Sequence, residues 1–376
     1  MRDYVEVGIG REARRTHHLQ DISLVPARRT RSSQDVDTTW HIDAYTFDIP
    51  VASYPTDALA GDVDFVNAMH NQGGLAVINA EGMWARQADI PAAIKEVITA
   101  AEISPAEATR TLQRLHAAPL DTDLLTERLR EVRTTGATVA VRVSPQNARE
   151  LAPAVVAAGA EILFIQGTII SAEHVAKGGA PLNLKEFIGS LEVPVIAGGV
   201  YDYSTAMHLM RTGAAGVIVG GTSAASELAV GIAPGMATAI ADVNAARREY
   251  LDETGGRYVH ILADAHLETS GDIARAIACG ADAVMLGSPL AQAAEASASG
   301  HFWQTAAAHP RFPRGVVERD ESAFDRAEPA SLETILHGPS SDAFGFENLV
   351  GGLRRAMAKC GYTDLKSFQK VGLALA

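Results

Sequence analysis

Two short stretches of the sequence carry side chains that could bind a ligand or move a proton. Asp264 and His266 follow one apolar run, and Gly287, Ser288 and Pro289 follow another. A glycine lets the backbone approach a ligand, a serine caps a helix, and a proline suits the first helical position. Free N–H groups at such a helix start bind phosphate, although a plain helix start has the same sequence.

Each polar candidate has a second interpretation that the sequence leaves open. Asp264 is suited to bind the hydroxyls of a sugar or to cap the following turn. His266 is a candidate acid/base group because imidazole titrates near neutral pH, and a structural histidine is the alternative. Glu227 is a carboxylate near a glycine-rich loop, where a plain surface charge is the alternative. His17 and His18 have no partner pattern, so we expect them to be exposed.

The elements that must position these residues are eight short apolar runs rich in β-branched residues. Continuous apolarity is typical of parallel strands that are covered on both faces. Five of the seven intervals between strand starts are 22 to 32 residues long, which fits one strand and one helix. The runs begin at Ile49, Leu75, Ala137, Glu161, Val193, Ala215, Val259 and Asp282.

This order of elements predicts an α/β protein with a (β/α)8 barrel, or TIM barrel. An open Rossmann sheet would need a Gly-x-Gly-x-x-Gly turn after its first strand, and the sequence has none there. Amphipathic helices are expected at 147–158, 204–212 and 236–251, and the longest interval holds helical stretches near 91–116 and 121–135. In such a barrel the active site lies at the carboxyl ends of the strands.

The whole chain, 1–376, is expected to form a single domain. Its core strands span about 49–287, and a C-terminal lid with a closing helix follows at 297–376. The lid is irregular in sequence and rich in proline. A long stretch of that kind inside a compact protein is usually a binding loop.

Composition limits the class of protein further. The chain is 47% hydrophobic and 20% charged, which is typical of a globular protein. Its two cysteines, Cys279 and Cys360, exclude disulfide scaffolds and thiolate zinc clusters. A net charge of −13 argues against nucleic-acid and anionic-membrane partners. The sequence shows no signal peptide and no long apolar run, so we expect a cytoplasmic protein.

Four motifs follow one another along the chain, at 21–26 (DISLVP), 73–75 (GGL), 278–288 (ACGADAVMLGS) and 351–354 (GGLR). In this order they resemble the IMP dehydrogenase/GMP reductase family, and most closely its short bacterial IMP-dehydrogenase-related branch. The regulatory CBS domains of longer members are not expected, because the interval after the second strand is too short to hold them.

The resemblance implies a role for each matching residue in binding a purine mononucleotide. Gly287 and Ser288 match the loop that holds the 5′-phosphate, and Asp264 matches the aspartate that holds the ribose hydroxyls. Arg314 and Gly315 match part of the segment that contacts the base.

The resemblance also implies a nicotinamide cofactor, NAD or NADP, and it allows for a monovalent cation. Gly198 and Gly199 lie where the family has glycines beside the nicotinamide. Gly167 follows strand four, where the family has a polar run that faces the dinucleotide. Family members are usually homotetramers, which is the assembly that the resemblance implies.

The departures from the family pattern concern its chemistry. The family attacks purine C2 with a cysteine thiolate on the loop after strand six, and here Gly221, Thr222 and Ser223 occupy that loop. A hydroxyl is a far poorer nucleophile than a thiol unless a base activates it. Ala265 and His266 also replace a glycine pair of the family, and no catalytic residue is assigned.

Two functions follow, from different classes. The first is an IMP-dehydrogenase-related oxidoreductase of purine metabolism that acts on IMP or GMP with a nicotinamide cofactor. The alternative is a catalytically impaired paralogue that binds purine nucleotides without turning them over. A different barrel enzyme that acts on another phosphorylated metabolite is a third interpretation.

Overall fold

Eight parallel strands form one sheet at the centre of the molecule. The computed structural model describes residues 3–167, 170–171, 182–221, 224–319 and 329–375. The strands are β1 (Val51–Ser53), β2 (Val77–Asn79), β3 (Ala140–Val143), β4 (Ile162–Gln166), β5 (Val195–Val200), β6 (Gly216–Gly220), β7 (His260–Asp264) and β8 (Ala283–Leu286).

The sheet closes into a barrel. Its strand order is β1-β8-β7-β6-β5-β4-β3-β2, with every pair parallel. The seam between β1 and β2 is joined by two backbone hydrogen bonds, in which Ser53 donates to Leu75 (2.8 Å) and Leu75 donates to Val51 (3.0 Å). The predicted (β/α)8 barrel is therefore confirmed.

The strands are largely apolar because both faces are covered, and most of their polar residues lie at or near the carboxyl ends. Every residue of β4, β5 and β6 is buried, with one face filling the barrel and the other lying under helices. Outside the barrel, the helices are α1 (Val63–Asn71), α2 (Ile90–Ile103), α3 (Pro105–His116), α4 (Thr122–Thr134), α5 (Ala148–Ala157), α6 (Leu184–Gly189), α7 (Tyr203–Arg211), α8 (Ala224–Val230), α9 (Met236–Glu253), α10 (Ser270–Cys279), α11 (Ser288–Ala291), α12 (Leu332–His337), α13 (Leu349–Lys359) and α14 (Leu365–Phe368).

Two helix boundaries differ from the sequence-based prediction. The single helical stretch expected at 91–116 is two helices, because Ser104 is extended and caps α3, whose first residue is Pro105. The start of α11 lies one residue earlier than predicted, since Gly287 occupies the capping position and Ser288 is already helical.

The chain termini pack around the barrel. Near the N-terminus, strand Tyr4–Gly8 pairs with strand Arg11–Arg14. Strand Ile22–Leu24 pairs antiparallel with strand Leu373–Leu375 at the other end of the chain. Among its described residues, the segment predicted to form a lid includes short strands at His301–Phe302 and Glu318–Arg319 together with α12, which its irregular sequence did not indicate.

A buried ion pair ties the C-terminal helices to the amino end of the barrel. Asp282 accepts hydrogen bonds from Arg247 Nη1 at 2.5 Å and from the Tyr258 hydroxyl at 2.6 Å. Gln369, just after α14, donates to the same carboxylate at 3.1 Å. Removing one member would leave a buried charge without its partner, which is costly.

The buried apolar side chains form one continuous cluster that runs through the barrel and the surrounding helices. Among the helices of the described residues, none is both long enough and apolar enough to cross a membrane.

Candidate functional site

A cavity of about 270 Å³ lies at the carboxyl ends of strands β7, β8 and β1. This is the end of a barrel at which active sites are found. The lining residues come from strand ends, the N-terminal segment, helices α8 and α9, and the C-terminal segment. They are His18, Tyr54, Glu227, Ala233, Pro234, Met236, Asp264, Ala265, His266, Leu267, Met285, Gly287, Ser288, Phe302, Gln304, Gly315, Val316 and Glu318.

Asp264 and Gln166 meet in the centre of the barrel. Gln166 Nε2 donates to Asp264 Oδ2 at 2.9 Å, although the two residues lie 98 positions apart in the chain. Strands β4 and β7 are not neighbours in the sheet, so this contact spans the barrel interior. The sequence predicted Asp264 as a site residue, but it did not indicate Gln166 as its partner.

Asp264 lies in an environment that disfavours its charge. Its carboxyl is buried, and burial raises the pKa to about 7, while the hydrogen bond from Gln166 acts in the opposite direction. A carboxyl group with such a pKa changes protonation state near neutral pH. A buried titratable group of this kind in a cavity is a candidate functional residue.

Tyr54 forms the neighbouring part of the wall. Its backbone N–H donates to Leu286 at the end of β8 (2.7 Å), and its hydroxyl lies 3.3 Å from Thr305 Oγ1. The ring of Phe302 packs edge-on against it. Burial, followed by the nearby charge of Asp264, raises the pKa of the Tyr54 hydroxyl to about 12, so the hydroxyl keeps its proton at neutral pH. Sequence reasoning missed Tyr54.

A buried polar layer supports Gln166 from strands β2 and β3. Arg142 Nη2 donates to the backbone oxygen of Gln166 at 2.6 Å, and Nη1 donates to Asn79 Oδ1 at 3.3 Å. Glu81 lies 3.8 Å from the same guanidinium. Within the described part of the chain, Arg142 Nε and Gln166 Oε1 are buried and have no hydrogen-bond partner.

Gly287 and Ser288 both line the cavity, as the phosphate-loop prediction requires. A Cβ atom on Gly287 would lie 2.5 Å from the ring of Phe302, which is far inside van der Waals contact. The absence of a side chain at this position therefore lets the loop pack under Phe302 while its backbone borders the cavity.

Only one of the two residues predicted to contact the base borders the cavity. Gly315 lines the cavity, whereas Arg314 is outside the set of lining residues. The Arg314 guanidinium donates to the backbone oxygen of Phe312 at 2.8 Å and lies over that ring at 5.5 Å.

Gly167, Gly198 and Gly199 lie together at the ends of β4 and β5. The Gly167 N–H donates to Gly198 (2.9 Å), and the Gly199 N–H donates to Gly167 (3.1 Å). Their mutual bonds occupy these N–H groups. A Cβ on Gly198 would lie 2.5 Å from Ile218 of β6, so that glycine is also required for strand packing.

The loop that follows β6 is described only at its edges. Thr222 and Ser223 lie outside the described residues. Gly221 donates its N–H to the backbone oxygen of Asp264 at 3.0 Å, which fixes the beginning of the loop beside the cavity. Both cysteines lie elsewhere and are buried: Cys279 ends α10, and Cys360 follows α13.

The cavity mouth carries carboxylates and histidines. His266 Nε2 lies 2.9 Å from Glu268 Oε1, and Glu227 and Glu318 also border the mouth. His18 is exposed as predicted, whereas His17 is half-buried because its backbone packs against Thr238 of α9. His18 also lines the same mouth, which the sequence did not indicate. Neither lysine nor arginine occurs among the described lining residues. In the part of the chain that the structure describes, no cluster of three or more His, Cys, Asp or Glu side chains could hold a metal ion.

Comparisons with known proteins identify the family of the chain. The model of the IMP dehydrogenase/GMP reductase domain matches residues 16–374. An uncharacterized oxidoreductase of Mycolicibacterium smegmatis is 59% identical over 377 residues, covering 99% of each chain. Another from Mycobacterium leprae is 58% identical, covering 99% of this chain and 100% of the relative. The inosine-5′-monophosphate dehydrogenase of Methanocaldococcus jannaschii is 29% identical over 221 residues, or 50% of this chain and 41% of the relative.

A crystal structure from Corynebacterium glutamicum, described as an IMP dehydrogenase/GMP reductase-like protein, has the same fold. It superposes with a TM-score of 0.95 at 65% identity, covering 100% of this chain and 98% of that chain. Together with the family match across nearly the whole chain, this assigns the protein to the oxidoreductases of the IMP dehydrogenase/GMP reductase family.

Proposed function

We propose that the cavity binds a purine 5′-mononucleotide, IMP or GMP, and that the protein oxidises or reduces it with a nicotinamide cofactor. The observation that carries this proposal is that Asp264, Gly287 and Ser288 line one cavity at the ends of adjacent strands. They also occur in the family's motif order. A carboxylate accepts hydrogen bonds from the two ribose hydroxyls, and side-chain-free backbone with a serine hydroxyl binds a phosphate.

The base is proposed to lie against the segment that contains Gly315. Of the two residues that match the family motif there, Gly315 borders the cavity, and Arg314 is engaged with Phe312. We therefore assign the base contact to the backbone of Gly315. Arg314 is proposed to support this segment through its bond to the Phe312 carbonyl.

The nicotinamide cofactor, NAD or NADP, is proposed to lie over Gly167, Gly198 and Gly199. Gly167 is partly exposed, and the absence of a side chain there fits the approach of a flat ring, whereas Gly198 and Gly199 are buried beneath it. The N–H groups of Gly167 and Gly199 are engaged within this group, so these two residues contribute contact and not hydrogen bonds to cofactor phosphates. When bound, the cofactor supplies the hydride acceptor or donor, and the chain holds and orients the nucleotide.

The second candidate function is a purine-nucleotide-binding protein without turnover. The observation that favours it is the position of the cysteines, because both are buried and remote from the cavity. Burial raises the pKa of the Cys279 thiol to about 11, which leaves almost no thiolate at neutral pH.

A binding experiment tests the feature that both candidates share. IMP, GMP and XMP are added at millimolar concentration, and the melting temperature is measured against CMP and inosine. At about 100 times Kd, a ligand of the folded state stabilises it by about 2.7 kcal/mol, which raises the melting temperature measurably. If no purine nucleotide shifts melting, both functions are wrong.

Variants test which residues bind each part of the nucleotide. Ser288→Ala should weaken IMP much more than inosine, by about tenfold or more, because a bond to a charged phosphate is lost. Asp264→Ala should weaken IMP and inosine alike. Glu268→Gln, a change at the mouth that leaves both predicted contacts intact, is the matched control and should alter neither affinity by more than about twofold.

A turnover experiment then separates the two candidates. Absorbance of the reduced cofactor at 340 nm is followed with IMP and oxidised cofactor, and with GMP and reduced cofactor, at high protein concentration with potassium present. Comparing NAD with NADP, and potassium with sodium, identifies the cofactor and any requirement for a monovalent cation. Binding without any absorbance change would establish the second candidate and refute the first.

We also propose that the chain is a single domain that acts in the cytoplasm as a homotetramer. The continuous apolar cluster supports one domain, and the low cysteine content fits a reducing compartment. Light scattering should give four times the 39.6 kDa of the chain. A monomeric mass at micromolar concentration would refute the tetramer.

A further inference from the structure

The contact between Gln166 and Asp264 crosses the interior of the barrel and ends at the cavity. Both side chains are buried, at 4% and 7% exposure, and Asp264 is also a lining residue. Gln166 Nε2 donates to Oδ2 of the carboxylate. No hydrogen bond to Oδ1 comes from the described residues. Within the described residues, one carboxylate oxygen is thus held by a side chain, and the other is open to a ligand.

Gln166 is itself held in place from the other side. Its backbone oxygen accepts a hydrogen bond from Arg142, and Arg142 is braced by Asn79 and Glu81. These contacts fix the backbone from which the Gln166 side chain extends. The side-chain amide extends from this fixed backbone and presents an N–H to the carboxylate.

Among the described residues, the charged and titratable groups that face Asp264 do not include a free cation. Tyr54 approaches from the end of β1 and keeps its proton. Arg142, on β3, is engaged by Glu81 and by the Gln166 carbonyl. The groups at the mouth are His18 from the N-terminal segment, Glu227 from α8, His266 and Glu268 after β7, and Glu318 from the C-terminal segment. The Gln166 N–H is therefore the described direct contact that favours the ionised carboxylate.

We propose that Gln166 is a positioning residue, which holds Asp264 Oδ2 and so sets how Asp264 presents the rest of its carboxylate to a ligand that binds the ionised form. The ligand class is a vicinal diol, such as the ribose of a nucleotide, whose hydroxyls donate to the carboxylate. Binding below neutral pH then releases a proton from Asp264 to solvent. The ligand part of this inference rests on the proposed function, whereas the role of Gln166 toward Asp264 does not.

The direction of the effect follows from hydrogen-bond chemistry. Loss of the Gln166 N–H removes a bond to the charged form, which shifts the titration of Asp264 upward by about one to two pH units. Because the pKa of Asp264 is about 7, the affinity of the wild type for IMP should rise about tenfold from pH 6 to pH 8. This rise is measured relative to Asp264→Asn, which accounts for the other effects of pH on binding. In Gln166→Met the same rise should be displaced upward by the same one to two pH units.

The experiment has one arm without ligand and one with IMP. In the first, the melting temperature is measured from pH 5 to pH 9 for the wild type, Gln166→Met, and each of these combined with Asp264→Asn. For each protein, the melting temperature minus that of its counterpart carrying Asp264→Asn isolates the titration of Asp264. In the second arm, calorimetry in two buffers of different ionisation heat counts the protons released when IMP binds.

Gln304→Met is the matched control, because Gln304 also lines the cavity and makes no described bond to Asp264. We expect the titration midpoint to move upward in Gln166→Met and to stay unchanged in Gln304→Met. A purely structural role for Gln166 would lower the melting temperature equally at every pH, and an unmoved midpoint overturns the proposal. If Gln166→Met does not fold, Gln166→Asn, one methylene too short to reach, replaces it.

The two arms separate this inference from the proposed function. A wild type that binds no nucleotide would refute the proposed function, while the ligand-free midpoints would still decide the role of Gln166. A wild type that binds IMP without releasing a proton near pH 6 would refute the proton-coupled step alone.

Discussion

Replacing Asp264 with asparagine should make the protein more stable above neutral pH and should flatten its stability between pH 4 and 8. The carboxyl has a folded pKa of about 7 against an ordinary value of 3.8, so the folded state binds its proton more tightly than the unfolded state. Wild-type stability therefore falls as the pH rises from about 4 to about 7. The gap of about three pH units corresponds to at most about 4 kcal/mol, at about 1.4 kcal/mol per unit.

Asparagine is a suitable probe because it keeps the shape of the side chain and an oxygen that can accept the Gln166 N–H. The assay is the melting temperature of both proteins at pH 5, 6, 7 and 8. The melting temperature of Asp264→Asn, relative to that of the wild type, should rise by several degrees between pH 5 and pH 8. Glu268→Gln, at an exposed carboxylate, is the control and should show no such trend. If the difference in melting temperature between wild type and Asp264→Asn is constant with pH, the claim that burial raises the pKa of Asp264 is refuted.

Three further changes test the structure at separate points. Gly287→Ala places a Cβ 2.5 Å from the ring of Phe302, so it should cost about 1–3 kcal/mol, and adding Phe302→Leu should recover part of that loss in urea unfolding. Asp282→Ala leaves its buried arginine partner unpaired and should cost about 3–5 kcal/mol in the same measurement. A thiol reagent at neutral pH should modify neither Cys279 nor Cys360 rapidly in the native protein, and both in urea, because both are buried.

Matched controls accompany these changes. Gly189→Ala adds a Cβ in open space and should be nearly neutral, so an equal loss there would contradict the steric account of Gly287. Asp252→Ala removes an exposed carboxylate of α9 and should cost less than about 0.5 kcal/mol. A thiol that reacts within seconds in the native state would contradict the burial of the cysteines and reopen a role for them.

Much of the fold could be predicted because its signals are local. Continuous apolar runs indicate strands covered on both faces, and their regular spacing indicates alternating helices. The break at Ser104–Pro105 was missed although its signal was present, since a serine before a proline is a helix start. Hydrophobic periodicity alone does not detect it, because α2 and α3 are both amphipathic and follow one another directly.

The candidate site was predictable where barrel geometry gathers residues by itself. All carboxyl strand ends meet at one rim, so Asp264, Gly287 and Ser288 could be placed together from their positions after strands. Arg314 could not be separated from Gly315 in this way, because the direction of a side chain on an irregular segment depends on its packing. The contribution of His18 also lay beyond local patterns, since it comes from a segment that packs across the start of α9.

The order of the elements, the closed barrel and the end of the barrel that holds the site follow from the sequence alone, because backbone propensity, apolar periodicity and strand order are properties of neighbouring residues. The state of the site depends on the folded chain. Gln166 and Asp264 become partners only when closure of the barrel brings β4 opposite β7. The pKa of Asp264 moves only because the surrounding strands exclude water from its carboxyl. Both effects arise between residues that are distant along the chain, where sequence spacing carries no signal.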